Sequence, residues 1–170
     1  MIVYNDYREN NSSASQRITL NPIPQRISAG GIVVHDDQLL LVHHIEASGA
    51  DYWVMPGGGI EGDEGIFKAA QREVWEETNI KVRAEKIAYV QDFIDNGKYV
   101  CKFWVYCSLV EGDAGIQNKG VNETYLKDAR FFSRAEIQKV EVFPEILKSD
   151  FWRHLEAGFP EIQYLGFSRF

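Results

Sequence analysis

The order of elements along the chain predicts an α+β fold in which a mixed β-sheet is packed by helices on its faces. Three observations carry this reading: strand-like runs that do not alternate regularly with helices, two tight-turn signals between long apolar runs, and an amphipathic helix opened by a glycine-rich loop. At ~150 residues per domain, 170 residues read as about one domain. A domain of that size buries roughly 70% of the surface of its unfolded chain, so it folds without disulfide or metal, and a metal site would serve function. A hydrophobic fraction of 45% and a charged fraction of 25% exclude a disordered tail and a collagen-like fibre.

Residues 1–25 are polar around Asn10-Asn11-Ser12-Ser13 and end with Pro22 and Pro24, which predicts an N-terminal arm leading into one domain over residues 26–170. Arg26 to His35 and Gln38 to Ile45 are β-branched and Leu-rich runs flanking Asp36-Asp37, a hairpin signal. Gly30-Gly31 interrupts the first of these runs and marks either a bend or the close approach of another group. Trp53-Val54-Met55 is a short apolar segment closed by the loop Pro56-Gly57-Gly58-Gly59. Helix formers then run from Glu64 to Thr78, where Phe67, Ala70 and Val74 form an apolar stripe facing a sheet. Asn79 ends the helix, since Asn tolerates the left-handed conformation of helix C-termini.

Val82 to Ile94 and Lys98 to Val110 read as long strands joined through Asp95-Asn96-Gly97, Asn-Gly being a strong hairpin signal. Glu111 to Asn122 reads as a loop, Ala129 to Phe132 as a strand and Arg134 to Lys139 as a short helix. A C-terminal helix is predicted over Glu145 to Glu156, ending before Gly158 and Pro160.

Eighteen Lys and Arg against 25 Asp and Glu give a net charge of −7, which argues against generic binding to nucleic acid or to an anionic membrane. Cys101 and Cys107 lie in one strand-like run, and at roughly 3.3 Å of rise per residue they are too far apart to bridge, so both are expected as reduced thiols. The N-terminus carries no basic region followed by an apolar stretch, and no run approaches the ~18 apolar residues of a membrane span. The expected compartment is the cytoplasm.

The helix puts Glu73, Glu76 and Glu77 at i, i+3 and i+4, so three carboxylates crowd one side of it. Such like-charged pairs cost ~0.2–0.5 kcal/mol each, and Gly57 to Ile80 holds six acidic residues against Lys68 and Arg72. A solvated acidic face is one reading. A platform for a hard cation is the other, because Mg²⁺ takes oxygen ligands and the glycine loop offers a carbonyl. The surrounding spacing favours the second: Gly58, five residues, Glu64, seven residues, then Arg72-Glu73-Val74-Trp75-Glu76-Glu77-Thr78-Asn79-Ile80. This resembles the Nudix box, G-x(5)-E-x(7)-R-E-U-x-E-E-x-G-U with U aliphatic, in eight of nine specified positions, Asn79 standing for the last Gly. The resemblance extends from about Arg26 to Leu155.

Membership of the Nudix family implies a Nudix-like α/β/α sandwich with a mixed sheet, and Mg-dependent hydrolysis of a nucleoside diphosphate linked to another moiety. It implies Glu73, Glu76 and Glu77 as ligands of Mg²⁺, or of Mn²⁺ in its place, with the Gly57 carbonyl and Glu64 completing the set. Arg72 would orient the glutamates through its planar fork. For the general base the resemblance offers Glu73 first and Glu123, in the loop Gly120-Val121-Asn122-Glu123, second.

Substrate markers outside the box are sparse. The proline that follows the box in many ADP-ribose hydrolases is absent, with Asp95 at that place, and the arrays of NADH and coenzyme A hydrolases are absent too. A tyrosine marks many diadenosine polyphosphate hydrolases, and Tyr99 falls just beyond its window. His43 and His44 close the second strand near the expected mouth, where a mostly neutral imidazole would hydrogen-bond substrate rather than pair with phosphate. Tyr52 and Trp53, like Phe103, Trp104 and Tyr106, serve either as core or as stacking surface for a base. The expected partner is a small nucleotide, with no nucleic acid and no membrane, and the family resemblance implies a homodimer through the arm and strands. A nucleotide sensor without turnover is the alternative; such modules usually lose box glutamates, and this chain keeps them.

Overall fold

Both tight turns predicted from the sequence close hairpins. Asp36 and Asp37 take φ of 48° and 58°, and Asn96 and Gly97 take 47° and 74°, the paired positive values of a two-residue hairpin turn. They join β1 (Gln25–His35) to β2 (Gln38–Ile45) and, further on, β5 (Lys81–Asp95) to β6 (Lys98–Glu111). The computed structural model describes residues 22–121 and 123–169, so the expected arm lies outside the described residues as far as position 21.

The remaining elements are β3 (Asp51–Val54), β4 (Gly57–Gly59), α1 (Ile66–Thr78), β7 (Leu126–Ser133), α2 (Arg134–Ile137), β8 (Val142–Phe143), a 3-10 turn (Glu145–Lys148), α3 (Phe151–Glu156) and β9 (Gln163–Arg169). The sheet runs in the order β8-β3-β2-β1-β6-β5-β9, with β4 added on β1 and β7 on β2. It is mixed, as expected: β1 lies parallel to β6, β3 to β8 and β5 to β9, while β1–β2, β1–β4, β2–β3, β2–β7 and β5–β6 pair antiparallel.

β1 is the strand at which the sheet forks. Its residues 25–33 follow β6. On its other side Ser28, Ala29 and Gly30 pair with Gly59, Gly58 and Gly57, and only Val34 and His35 pair with β2. Between these two pairings the Gly31 amide donates to the Pro56 carbonyl at 2.9 Å.

Two apolar clusters cover the sheet. One joins Ala69, Ala70 and Val74 of α1 to Ala29, Val33, Leu40, Val105 and Cys107. The other joins Trp104 and Phe132 to Ile137 of α2, Leu147 of the 3-10 turn, and Phe151 and Trp152 of α3. These are the two helical layers of the expected sandwich. Gly30-Gly31 is crowded by members of both clusters: a Cβ on Gly30 would stand 2.5 Å from the Trp104 ring and 2.8 Å from the Pro56 carbonyl, and one on Gly31 would come under 3.0 Å from a Val74 methyl. The glycine pair is thus explained by close approach rather than by a bend.

Several expectations are corrected. Gly57–Gly59 is a short strand rather than a loop, because its backbone has the free edge of β1 to pair with. Phe67 is 42% exposed; the buried stripe of α1 runs through Ala69, Ala70, Glu73, Val74, Glu77 and Thr78, so two carboxylates occupy inward positions. The C-terminal helix is two pieces broken at Ser149-Asp150, residues whose side chains compete with helical backbone bonding. β9 was not anticipated: Gly166 interrupts it and its register on β5 shifts between Val90 and Asp92, which hides a strand period. The short helix after β7 carries a full capping box between Ser133 and Glu136. Cys101 and Cys107 are free thiols, as expected. Among the described residues no helix is long and apolar enough to cross a membrane.

Candidate active site

The site is assembled where α1 passes beneath β4. Gly58 makes the approach possible: a Cβ there would stand 2.6 Å from Glu73 Oε2, so only glycine lets that carboxylate lie against the strand. One turn on, Glu77 Oε2 accepts a hydrogen bond from the Gly57 amide at 2.7 Å. Glu73 and Glu77 are buried, at 6% and 2% exposure, and Glu76 lies farther out.

Arg72 organises the cluster. Its Nε and Nη2 donate to the two oxygens of Glu64 at 3.2 and 2.6 Å, a two-pronged match of fork to carboxylate. Nη1 donates to Glu73 Oε1 and to Glu76 Oε2, each at 2.9 Å, and Nη2 also donates to the Gly59 carbonyl at 2.9 Å. One guanidinium therefore holds three carboxylates and the glycine strand, so Arg72 is more than a surface ion pair. The Arg72 hydrogen bonds keep the Glu64 carboxyl below its ordinary range. Burial pushes the Glu73 carboxyl up against the pull of Arg72. It pushes Glu77 up as well, reinforced by the Glu73 charge and opposed by Lys102 and the Gly57 amide.

Lys102 is the residue that the sequence reading missed. It lies on β6 between buried Val100 and Trp104 and is itself 8% exposed. Its ammonium donates to the Gly57 carbonyl at 3.1 Å and stands 4.3 Å from the centre of the Trp104 ring. Burial lowers its pKa, while Glu77 and Glu73 act in the opposite direction. The available signal was the alternation Val100-x-Lys102-x-Trp104, which puts a lysine on the inward side of an apolar strand.

The other predicted site residues divide. Burial, with a smaller contribution from the charge of Lys102, brings the pKa of the His44 ring down to about 4. It makes edge contacts with Tyr52 and Tyr125, and its Nε2 is buried without a hydrogen-bond partner. His43 is engaged elsewhere, 2.6 Å from Asp51 and stacked on Trp53 at 4.5 Å. A register shift falls between the two histidines. Tyr99 donates to Asp92 and stacks on Phe167 of β9. Glu123 accepts from the Gly120 amide at 2.6 Å, and its charge contributes at Glu77. Trp104 is core. Tyr125 was not anticipated, nor was Arg26, whose guanidinium covers Gly59.

Asn79 takes φ 61°, and its amide donates to the Trp75 carbonyl at 2.9 Å, so it replaces the box glycine as the left-handed helix end. Its side chain adds what glycine lacks. Nδ2 donates to the Asp113 carbonyl at 3.3 Å, and Oδ1 accepts from Asn118 at 2.8 Å. The helix end is thereby fastened to the loop that leads to Glu123.

The donor set suits a hard divalent cation. Glu73, Glu76, Glu77 and the Gly57 carbonyl are oxygen donors gathered on one strand-and-helix platform, and the Gly58 cradle has room for the Glu73 carboxylate and no side chain. Among the described residues, however, no three acidic, His or Cys side chains converge in ready ligand geometry. The Arg72 and Lys102 cations stand against these oxygens instead.

Residues 24–150 match the family model described as NUDIX domain. A MutT-like protein of Streptomyces ambofaciens is 37% identical over 78 residues, 46% of this chain and 49% of that protein. A protein named RNA pyrophosphohydrolase from Rhodopseudomonas palustris is 33% identical over 78 residues, 42% of this chain and 46% of its own length. The chain thus spans about half the length of the curated relatives it matches. Among solved structures, a NUDIX hydrolase from Nitrosomonas europaea superposes with a TM-score of 0.62 at 26% identity, covering 79% of this chain and 90% of that one.

Proposed function

The chain belongs to the NUDIX domain family, and on that footing we propose that it is a divalent-cation-dependent pyrophosphohydrolase that cleaves the diphosphate linkage of a nucleoside diphosphate joined to another group. The observation that carries this reading is the Arg72 fork, which holds Glu64, Glu73 and Glu76 against a glycine strand whose absent side chains make room for them. The names of two relatives, MutT-like protein and RNA pyrophosphohydrolase, support it.

In this reading Glu73, Glu76, Glu77 and the Gly57 carbonyl hold Mg²⁺ or Mn²⁺, with Glu64 set through Arg72. The bound cation supplies charge neutralisation on the diphosphate oxygens and a more acidic attacking water. Arg72 keeps the carboxylates at fixed spacing, so little reorganisation is left for the moment of reaction. Glu73 takes the proton of the attacking water; Glu123, whose charge is felt at Glu77, is the loop carboxylate that would do so in its place. His44, Tyr52 and Tyr125 form the aromatic wall on the side of β2 and β3, suited to a base and to hydrogen bonds with substrate oxygens.

The test is a turnover screen with Mg²⁺ across nucleoside triphosphates, dinucleoside polyphosphates, nucleotide sugars and ADP-ribose, with products identified by mass. Cleavage between phosphates that a chelator abolishes is the expected result. Tight nucleotide binding without turnover across the panel would instead support a sensor.

A further inference from the structure

Two buried carboxylates lie against the glycine strand, Glu77 accepting from the Gly57 amide and Glu73 lying over Gly58, and their charge needs a counterpart whenever no divalent cation is bound. Arg72 answers for the outer part: its contacts are to Glu64, Glu73 Oε1, Glu76 and the Gly59 carbonyl. It makes no bond to Glu77, the more deeply buried of that pair, nor to the Gly57 carbonyl. The cation at that inner end is Lys102. Its ammonium reaches from β6 across β1 to the Gly57 carbonyl, and the charges of Glu77 and Glu73 act on it together with Asp95, against Arg26. Trp104 backs it with a ring face, which favours a cation and offers no oxygen donor.

A lysine chain bent over a buried tryptophan would be an expensive way to satisfy one carbonyl, since a desolvated ammonium loses several kcal/mol of hydration. The arrangement is explained when the ammonium is counted as the charge that the inner carboxylates require in the absence of metal.

We propose that Lys102 is a tethered stand-in for the divalent cation, neutralising the Gly57–Glu73–Glu77 end of the platform when no metal is bound and giving up the Gly57 carbonyl when metal enters. Metal binding is then an exchange of one cation for another rather than the filling of an open site. The inference rests on the reading of Gly57, Glu73 and Glu77 as metal holders.

The experiment is a titration of the full chain with Mn²⁺ alone, without substrate, followed by calorimetry and by the electron paramagnetic resonance signal of free Mn²⁺. Lys102→Met keeps the stem volume and removes the charge; Lys102→Gln is the second neutral variant should the first fail to fold. A neutral variant is expected to bind Mn²⁺ about tenfold tighter than the parent, and Lys102→Arg no tighter than the parent. The neutral variant should also melt at a lower temperature without metal and gain more from Mn²⁺ than the parent does. Equal or weaker Mn²⁺ binding by a folded neutral variant overturns the stand-in role while leaving the metal platform intact. Absence of Mn²⁺ binding in every form overturns both.

Discussion

Helix α1 is pinned to the sheet at one crowded point, and that point can be loosened and tightened by two methyl-scale changes. Gly31→Ala places a Cβ under 3.0 Å from a Val74 methyl, while the next neighbours of that Cβ, Val74 Cβ and Cys107 Sγ, stand at an ordinary 3.7 Å. Gly31 is not among the glycines with positive φ, so the cost of alanine is steric, and overpacking of this kind costs ~1–3 kcal/mol. Val74 is fully buried, and Val74→Ala removes two methyl groups at ~0.8 kcal/mol each plus a cavity term, together ~2 kcal/mol. Additive effects would leave the double variant ~3–5 kcal/mol less stable. The geometry says otherwise: with the Val74 methyls gone, the new Cβ at Gly31 meets a neighbour at 3.7 Å and fills part of the cavity. The double variant should therefore be no less stable than Val74→Ala alone, a coupling of ~1–3 kcal/mol. Urea unfolding of the parent, both single variants and the double variant, analysed by linear extrapolation, measures it. Additivity within ~0.5 kcal/mol would refute the claim that these two residues set the seating of the helix that carries the glutamates.

Glu77→Gln should abolish nearly all metal-dependent turnover while far-ultraviolet circular dichroism stays native; unchanged turnover would remove Glu77 from the platform. His44 carries a pH signature with a definite sign. Its folded pKa is lowered to about 4 from 6.5, so the unfolded chain takes up the proton first, and the stability associated with the neutral ring is present in full above pH 6.5 and is lost as pH falls from 6.5 toward 4. That loss amounts to about 3 kcal/mol, and His44→Phe, which keeps the aromatic contacts, should flatten this part of the stability profile relative to the parent. An identical pH dependence in the variant would show that His44 is not the group responsible. Asn79→Gly should change global stability by less than ~1 kcal/mol, because glycine is at ease at positive φ while two side-chain hydrogen bonds are lost. Hydrogen exchange at Gly115, whose amide is bonded to the Thr78 carbonyl, should quicken in that variant, and unchanged protection would mean that the Asn79 side chain does not fasten the loop.

Local signals carried far where the backbone decides. Asp36-Asp37, Asn96-Gly97 and Asn79 each took the left-handed geometry their residue types favour, and the strands around the hairpins followed. The box spacing placed Arg72 and the glutamates on one helix because helical spacing needs no tertiary knowledge. What escaped the sequence was set by pairing at a distance. β4 is a strand only because β1 offers an edge, and β9 only because β5 does. Lys102 reads as one more charge in a strand until the route over β1 to Gly57 is known, and Tyr99 could not be separated from His44 without the partners that claim each ring. Phe67 misled because hydrophobicity alone cannot reveal that the inward positions of α1 are taken by carboxylates.

The fork in the sheet gives the molecule two branches hung from one strand. The oxygen donors and their cations come from β4, α1 and β6 on one branch, and the rings of His44 and Tyr52 come from β2 and β3 on the other. The branches part at Gly31–Val33, between the pairing of β1 with β4 and its pairing with β2. Across that gap Gly31, Ile32 and Val33 stay paired to Val105, Tyr106 and Cys107 of β6, and Val33 and Leu40 share one apolar cluster with α1, so the two branches are held together from beneath. One strand thereby sets both the oxygen donors and the rings at fixed places along its length.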